Sequence, residues 1–171
     1  IALVELLASI DIAPQQIFGH SLGEFSCAYV DGCYNIEETL LNSWAILKAC
    51  VDSNLPPGVM ASVGLSWEDN ETLWEGTFPA CHNATDNMTV AGSPASIKEL
   101  LEHLKETGIF ARQINSLGFA FHSDLMKPAE AQMLENVRGL NLPTKTRSPK
   151  WISTSQSSDE NNLLSGSYFV N

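Results

Sequence analysis

Gly19-His20-Ser21-Leu22-Gly23 sets a serine between two glycines, after a short apolar run and ahead of a helix-forming one. This G-x-S-x-G spacing lets a chain turn sharply from strand to helix with a hydroxyl at the apex, the glycines relieving the crowding of the turn. Free N–H groups at the start of the next helix then face any oxyanion that forms on an attacked carbonyl. The chemistry is nucleophilic: the Ser21 hydroxyl attacks an acyl carbon and needs a base to take its proton. The same five residues also serve as a plain strand–helix turn, so their surroundings decide.

The chain has four histidines that could supply the base. His20 adjoins the serine, which directs its ring away from the hydroxyl at a tight turn. His82 falls in an expected strand and suits a packed core, and His103 falls on the polar face of a helix. His122, in Phe119-Ala120-Phe121-His122-Ser123, sits in an apolar loop where a polar ring needs a reason, which makes it the candidate base. The four cysteines, Cys27, Cys33, Cys50 and Cys81, have no metal-ligand spacing and read as buried free thiols of a reducing compartment.

The elements that must position these residues follow from periodicity. Leu3, Leu6, Leu7 and Ile10 have helical spacing, and a turn follows over 11–14. Gln16-Ile17-Phe18 reads as a buried strand feeding the serine, and Leu22, Phe25 and Tyr29 mark a helix ended by Gly32. Asn35 and Glu38 form a capping box for the next helix, with Leu40, Trp44, Leu47 and Val51 as its expected core stripe. Leu55-Pro56-Pro57-Gly58 breaks the pattern and marks a boundary. Beyond it come a strand over 60–63, a short helix capped by Ser66 and Asp69, and strands over 79–83 and 88–91 joined by a turn at 85–87. A helix opened by Ser93-Pro94 carries Ile97, Leu100, Leu101 and Leu104 on one face and closes at Gly108, before a strand over 109–114. This β-α-β-β-α-β order is that of a ferredoxin-like unit over 59–116. A loop at 117–123, a helix over 128–137 and a strand at 151–154 complete the pattern, and from Gln156 the chain reads as a mobile Ser/Asn-rich stretch.

A chain of 171 residues, 44% hydrophobic and 17% charged, has the composition of a folded domain. Its net charge of −11, with no Lys/Arg cluster, argues against nucleic acid or an anionic membrane surface as a partner. Sequons start at Asn70, Asn83 and Asn87 and read as accidental where no signal segment precedes them. Starting on Ile1 within a helical pattern and stopping at Asn171, the chain reads as an internal piece of a longer polypeptide.

Several widely spaced motifs then align with one family. These are Gly19-His20-Ser21-Leu22-Gly23-Glu24, Tyr29-Val30-Asp31-Gly32, Leu55-Pro56-Pro57-Gly58-Val59-Met60, Val63-Gly64-Leu65-Ser66-Trp67, Ala80-Cys81-His82-Asn83 and Ala120-Phe121-His122-Ser123. Over nearly its whole length the chain resembles the malonyl/acetyl-CoA:acyl-carrier-protein transferase domain of animal type I fatty acid synthases. Polyketide synthase acyltransferases share the outer motifs. The resemblance implies an α/β fold: an incomplete α/β-hydrolase-like core, residues 1–58 and 117–171, with a ferredoxin-like small subdomain, 59–116, inserted. It implies acyl transfer from an acyl-CoA through acyl-Ser21 to the phosphopantetheine thiol of an acyl carrier protein in the same polypeptide. His122 is then the base, held by a backbone carbonyl, and the Leu22 N–H is one oxyanion donor. A second donor comes from a glutamine loop upstream of Ile1, without which the isolated chain is expected to be inactive. Phe121 would line the acyl pocket. No metal or resident cofactor is implied, and coenzyme A enters with the substrate. The implied parent is a cytoplasmic homodimer.

One position departs from the family. A gap-free alignment puts Ile46 where the family has an arginine that clamps the free carboxylate of malonyl. Lys48 does not replace it, being about 200° further round the helix. Ile46 shares a face with Asn42, Ser43 and Cys50. The implied preference is for acyl groups without a second carboxylate. Two other readings stay open: a non-catalytic acyltransferase-like structural module of a synthase, and a serine hydrolase. The hydrolase would need an acidic triad residue between Ser21 and His122.

Overall fold

The computed structural model describes residues 1–72, 74–155 and 162–170. The chain divides into two compact units, Ile1–Ala49 with Ala131–Asn171, and Cys50–Glu130. Residues 50–58 and 117–130, which the sequence assigns to the larger core, cluster with the second unit.

In the first unit, helix α1 (Ala2–Ala8) has no buried residue, while α2 (Gly23–Val30) buries Glu24, Phe25, Cys27 and Ala28. Gly32, at φ 74, takes the left-handed turn that ends α2, and the Tyr34 N–H returns to the Ala28 carbonyl at 2.9 Å. Cys27, Ala28, Cys33, Tyr34, Trp151, Leu164 and Tyr168 form the core. Phe25 stacks on Phe169 with ring centroids 4.2 Å apart. Helix α3 (Ile36–Asp52) begins with the expected capping box: Glu38 N–H donates to Asn35 Oδ1 at 2.9 Å, and Asn35 N–H to Glu38 Oε2 at 2.8 Å.

The second unit is an antiparallel four-stranded sheet of β1 (Val59–Val63), β2 (Thr77–Ala84), β3 (Asn87–Gly92) and β4 (Ala111–Ile114), in the order β2-β3-β1-β4. Helix α4 (Pro94–Glu106) is capped by Ser93, whose Oγ accepts the Ser96 N–H at 3.1 Å. It packs Ile97, Leu100 and Leu104 on Ala61, Val63, Met88 and Val90. This is the ferredoxin-like order, with a 3-10 turn at Trp67–Thr72 in place of the first helix. Helix α5 (Lys127–Gly139) and the short pair β5 (Lys145–Thr146) and β6 (Leu163–Leu164) complete the chain. Among the described residues no helix is long and apolar enough to cross a membrane.

Three expectations need correction. The α3 stripe lies on the outer side, with Leu40 56%, Trp44 58% and Val51 69% exposed. The buried face is instead Thr39, Asn42, Ala45, Ile46, Ala49 and Cys50. The strands expected at 16–18 and 151–154 contract to one parallel bridge, Ile17 with Trp151. It is held by Ile17 N–H to the Lys150 carbonyl and Ile152 N–H to the Ile17 carbonyl, both at 2.9 Å. Gln16-Ile17-Phe18 offers two apolar residues, too few for a longer ladder, and Phe18 is 73% exposed. Residues 156–161, part of the stretch read as mobile, lie outside the described residues. Within 162–170, Leu164 and Tyr168 are apolar and lie in the core.

Candidate active site

Ser21 stands at the apex of the turn with φ 54, a left-handed conformation that few non-glycine residues adopt. The chain reverses so tightly that a Cβ on Gly19 would lie 2.3 Å from the Gly23 carbonyl carbon and 2.6 Å from the Glu24 nitrogen. A Cβ on Gly23 would meet nothing within 4 Å. Of the two motif glycines, only Gly19 is required by packing.

Three backbone bonds close the turn. Gly23 N–H donates to the His20 carbonyl at 2.9 Å, Glu24 N–H to the Ser21 carbonyl at 3.0 Å and Phe25 N–H to the Leu22 carbonyl at 3.3 Å. Leu22, the N-cap of α2, lies ahead of these bonds, where helix donors lack an acceptor within the helix. Its N–H is therefore suited to an oxyanion on an acyl group carried by Ser21. The Ser21 side chain is half-buried and Leu22 is exposed.

Below the turn lies a polar cluster that the sequence did not disclose. Glu24 is 2% exposed, and its carboxylate accepts from Tyr168 Oη at 2.5 Å and from the Thr154 N–H at 3.2 Å. Burial, followed by the hydrogen bond to Glu24, pushes the Tyr168 phenol above its ordinary value and keeps it a donor. The only sequence signal was Glu24 itself, a carboxylate on an apolar helix directly after the serine turn.

His122 belongs to the second unit and also has a left-handed backbone, φ 59. Its loop is pinned from one side: Gly58 N–H donates to the Gly118 carbonyl at 2.8 Å, and a Cβ on Gly58 would fall 2.2 Å from the Ala120 nitrogen. Ser123 Oγ donates to the Ala120 carbonyl at 2.5 Å and accepts the Leu125 N–H at 3.3 Å, starting a 3-10 turn at Asp124–Met126. The buried Ala120 and half-buried Phe121 pack against Met60 and Ala91, leaving the His122 side chain exposed. Phe121 is thus a member of a small core cluster.

Two of the other histidines are engaged elsewhere. His82 stacks on Trp67 at 5.3 Å, and His103 lies 5.2 Å from Trp74, whose Nε1–H donates to Glu99. His20 is exposed. Ile46 is 8% exposed and shares its buried face with Asn42 and Cys50, at 0% and 1%. Ser21, Leu22 and Ile46 belong to the first unit, and Phe121 and His122 to the second. Among the described residues no group of three or more His, Cys, Asp or Glu could hold a metal ion.

A serine on a strained turn before a helix, together with a ferredoxin-like sheet on the same chain, defines a mixed α/β acyltransferase fold. The chain belongs to the acyl transferase domain family, which it matches over residues 1–171. It is 30% identical over 182 residues to the highly reducing polyketide synthase easB of Emericella nidulans, across 99% of this chain and 7% of that protein. Its fold matches the acyltransferase domain of phenolphthiocerol/phtiocerol synthase A from Mycobacterium bovis (BCG), with a TM-score of 0.87 and 23% identity over 99% of this chain and 64% of that one. It also matches the malonyl CoA-acyl carrier protein transacylase of Burkholderia pseudomallei, with a TM-score of 0.70 and 23% identity over 81% of this chain and 49% of that one. The family is that of the acyltransferase domains of type I synthases in general; the relatives reported are fungal polyketide synthases rather than animal fatty acid synthases. The chain spans less than a tenth of the length of those synthases and under two thirds of the solved domains.

Proposed function

We propose that this chain carries the nucleophile and base of an acyl-CoA:acyl-carrier-protein acyltransferase. The observation that carries the reading is the left-handed Ser21 between the close-packed Gly19 and the start of α2. The Ser21 oxygen attacks the thioester carbonyl while His122 accepts its proton, and the Leu22 N–H steadies the oxyanion. The carbon–sulfur bond breaks, coenzyme A leaves as a thiol with the proton from His122, and the acyl group stays on Ser21. A phosphopantetheine thiol of the carrier protein then attacks, giving its proton to His122. The ester bond breaks and the proton returns to Ser21. No resident cofactor takes part.

Ile46 is the specificity element in this reading. A malonyl carboxylate facing an isoleucine rather than a guanidinium lacks its charge partner, which costs several kcal/mol in a dry pocket. The preferred substrates are acetyl or other acyl groups without a second carboxylate. In this reading the domain is part of a type I synthase, a cytoplasmic homodimer with the carrier protein on the same polypeptide. Tethering then supplies the encounter that an acidic chain of net charge −11 would not steer toward an acidic carrier.

The test is a panel of acyl-CoA esters on the intact synthase, with the mass of the Ser21 peptide measured before and after carrier protein is supplied. Acetyl-Ser21 that forms and is discharged onto the carrier thiol is the expected result. No labelling by any ester would return the domain to a structural role, and discharge to water faster than to the thiol would make it a hydrolase.

A further inference from the structure

Glu24 follows the serine turn and has no part in the steps above, yet its carboxylate is 2% exposed. Burying such a group is costly unless every oxygen is partnered. Oε2 accepts the Tyr168 Oη–H at 2.5 Å, and Oε1 accepts the Thr154 N–H at 3.2 Å. Thr154 Oγ1 lies 3.2 Å from Oε1 but 2.5 Å from the Gly19 carbonyl oxygen. A hydroxyl has one proton, so the shorter bond takes it. Tyr168 Oη in turn lies 2.6 Å from Ser153 Oγ and accepts from Arg147 Nη1 at 3.4 Å. Arg147 is 5% exposed, stacked over Trp151 and Tyr168 at 5.3 and 5.0 Å. A buried cation therefore faces the buried carboxylate across one phenol.

These contacts grip the serine turn at both ends. The Glu24 main chain holds the Ser21 carbonyl at 3.0 Å, and its side chain holds Thr154, which holds the Gly19 carbonyl. The residue between those anchors with a left-handed backbone is Ser21. We propose that Glu24 is a positioning residue for the Ser21 hydroxyl, tying the start of α2 to Thr154 and Tyr168 so that the turn keeps its conformation. The proposal rests on Ser21 being the nucleophile. It deepens that reading without adding a group that touches the substrate.

The test compares Glu24→Ala, Glu24→Gln and Thr154→Val with the parent in the intact synthase, with Ser21→Ala alongside. The rate of Ser21 acylation is read by rapid mixing with acetyl-CoA, normalised to the folded fraction from circular dichroism. Misplacing a nucleophile by about 1 Å costs about 100-fold, so Glu24→Ala is expected to lose about that in acylation rate. Its KM is expected to stay within about threefold, because substrate binding is untouched. Glu24→Gln recovers part of the rate, since its amide oxygen still accepts the Thr154 N–H while its NH2 cannot accept the Tyr168 proton. Thr154→Val keeps the shape, loses the hold on Gly19 and falls about tenfold, and it serves as the readout should Glu24→Ala fail to fold. A lowered melting temperature with an unchanged acylation rate in these variants overturns the proposal. If Ser21→Ala is inert while Glu24→Ala remains fully active, only the positioning role fails. Full transfer of the acetyl group from acetyl-CoA to the carrier protein thiol by Ser21→Ala overturns the nucleophile and the positioning role together.

Discussion

A Cβ on Gly19 would stand 2.3 Å from the carbonyl carbon of Gly23, whereas a Cβ on Gly23 would meet nothing within 4 Å. The two glycines of the motif are thus unequal. Gly19→Ala is expected to cost about 1–3 kcal/mol through overpacking and to abolish Ser21 acylation by opening the turn. Gly23→Ala, at the first position of α2, should be neutral or stabilise by up to about 1 kcal/mol. Melting temperature and acyl-Ser21 yield on the two variants check this. Equal damage from both would show that the second glycine has a role beyond packing.

The loop before His122 depends on a glycine in the same way. A Cβ on Gly58 would fall 2.2 Å from the Ala120 nitrogen, and the Gly58 N–H anchors the Gly118 carbonyl. Gly58→Ala should therefore displace the loop and slow acyl transfer, even though Gly58 lies 64 positions upstream of His122 in the numbering. A pH–rate profile separates this from general destabilisation. A displaced base shifts or flattens the limb that reports His122, while a merely less stable protein keeps its shape.

The parts legible in the sequence are those fixed by neighbours. The turn at Ser21, the Asn35–Glu38 capping box and the Ser93 cap each depend on residues within a few positions, and each formed as spaced. The α3 face was misread because the helix carries apolar residues on several sides. Three large ones, Leu40, Trp44 and Val51, are outside, while Ile46 is inside among the small or polar Ala45, Ala49, Thr39 and Asn42. Hydropathy favours the large residues, whereas close packing selected the small ones. The support for the turn was hidden for another reason. Glu24 and Tyr168 are separated by most of the chain, and no local pattern links a carboxylate to a phenol at that distance.

The buried thiols give the protein a pH dependence at its alkaline edge. Burial first, then the carboxylates of Glu24 and Asp31, raises Cys27 from 9.0 to about 11. Burial and the Asp31 hydrogen bond do the same for Cys33, also to about 11. Between 9.0 and about 11 an unfolded chain releases protons that the folded one keeps, so stability falls as pH rises through that window. Below it the contribution is fully present. Alkylation of Cys27 and Cys33 mapped by peptide mass should be slow at pH 8 and accelerate across the window. The half-buried Cys81 should react first. Early modification of Cys27 at pH 8 would contradict this.

Ile46→Arg joins specificity to stability in one substitution. Ile46 is 8% exposed on a face shared with the fully buried Asn42, so a guanidinium placed there is desolvated. Without a carboxylate to meet it, the charge should lower the melting temperature, since an unpaired buried charge costs several kcal/mol. If this face receives the acyl group, malonyl-CoA supplies the missing partner and acetyl-CoA does not. Malonyl-CoA should then restore the melting temperature of the variant, leave the parent unchanged, and raise malonyl-Ser21 relative to acetyl-Ser21. A loss of stability that malonyl-CoA and acetyl-CoA relieve equally would show that Ile46 packs a core and takes no part in choosing the substrate.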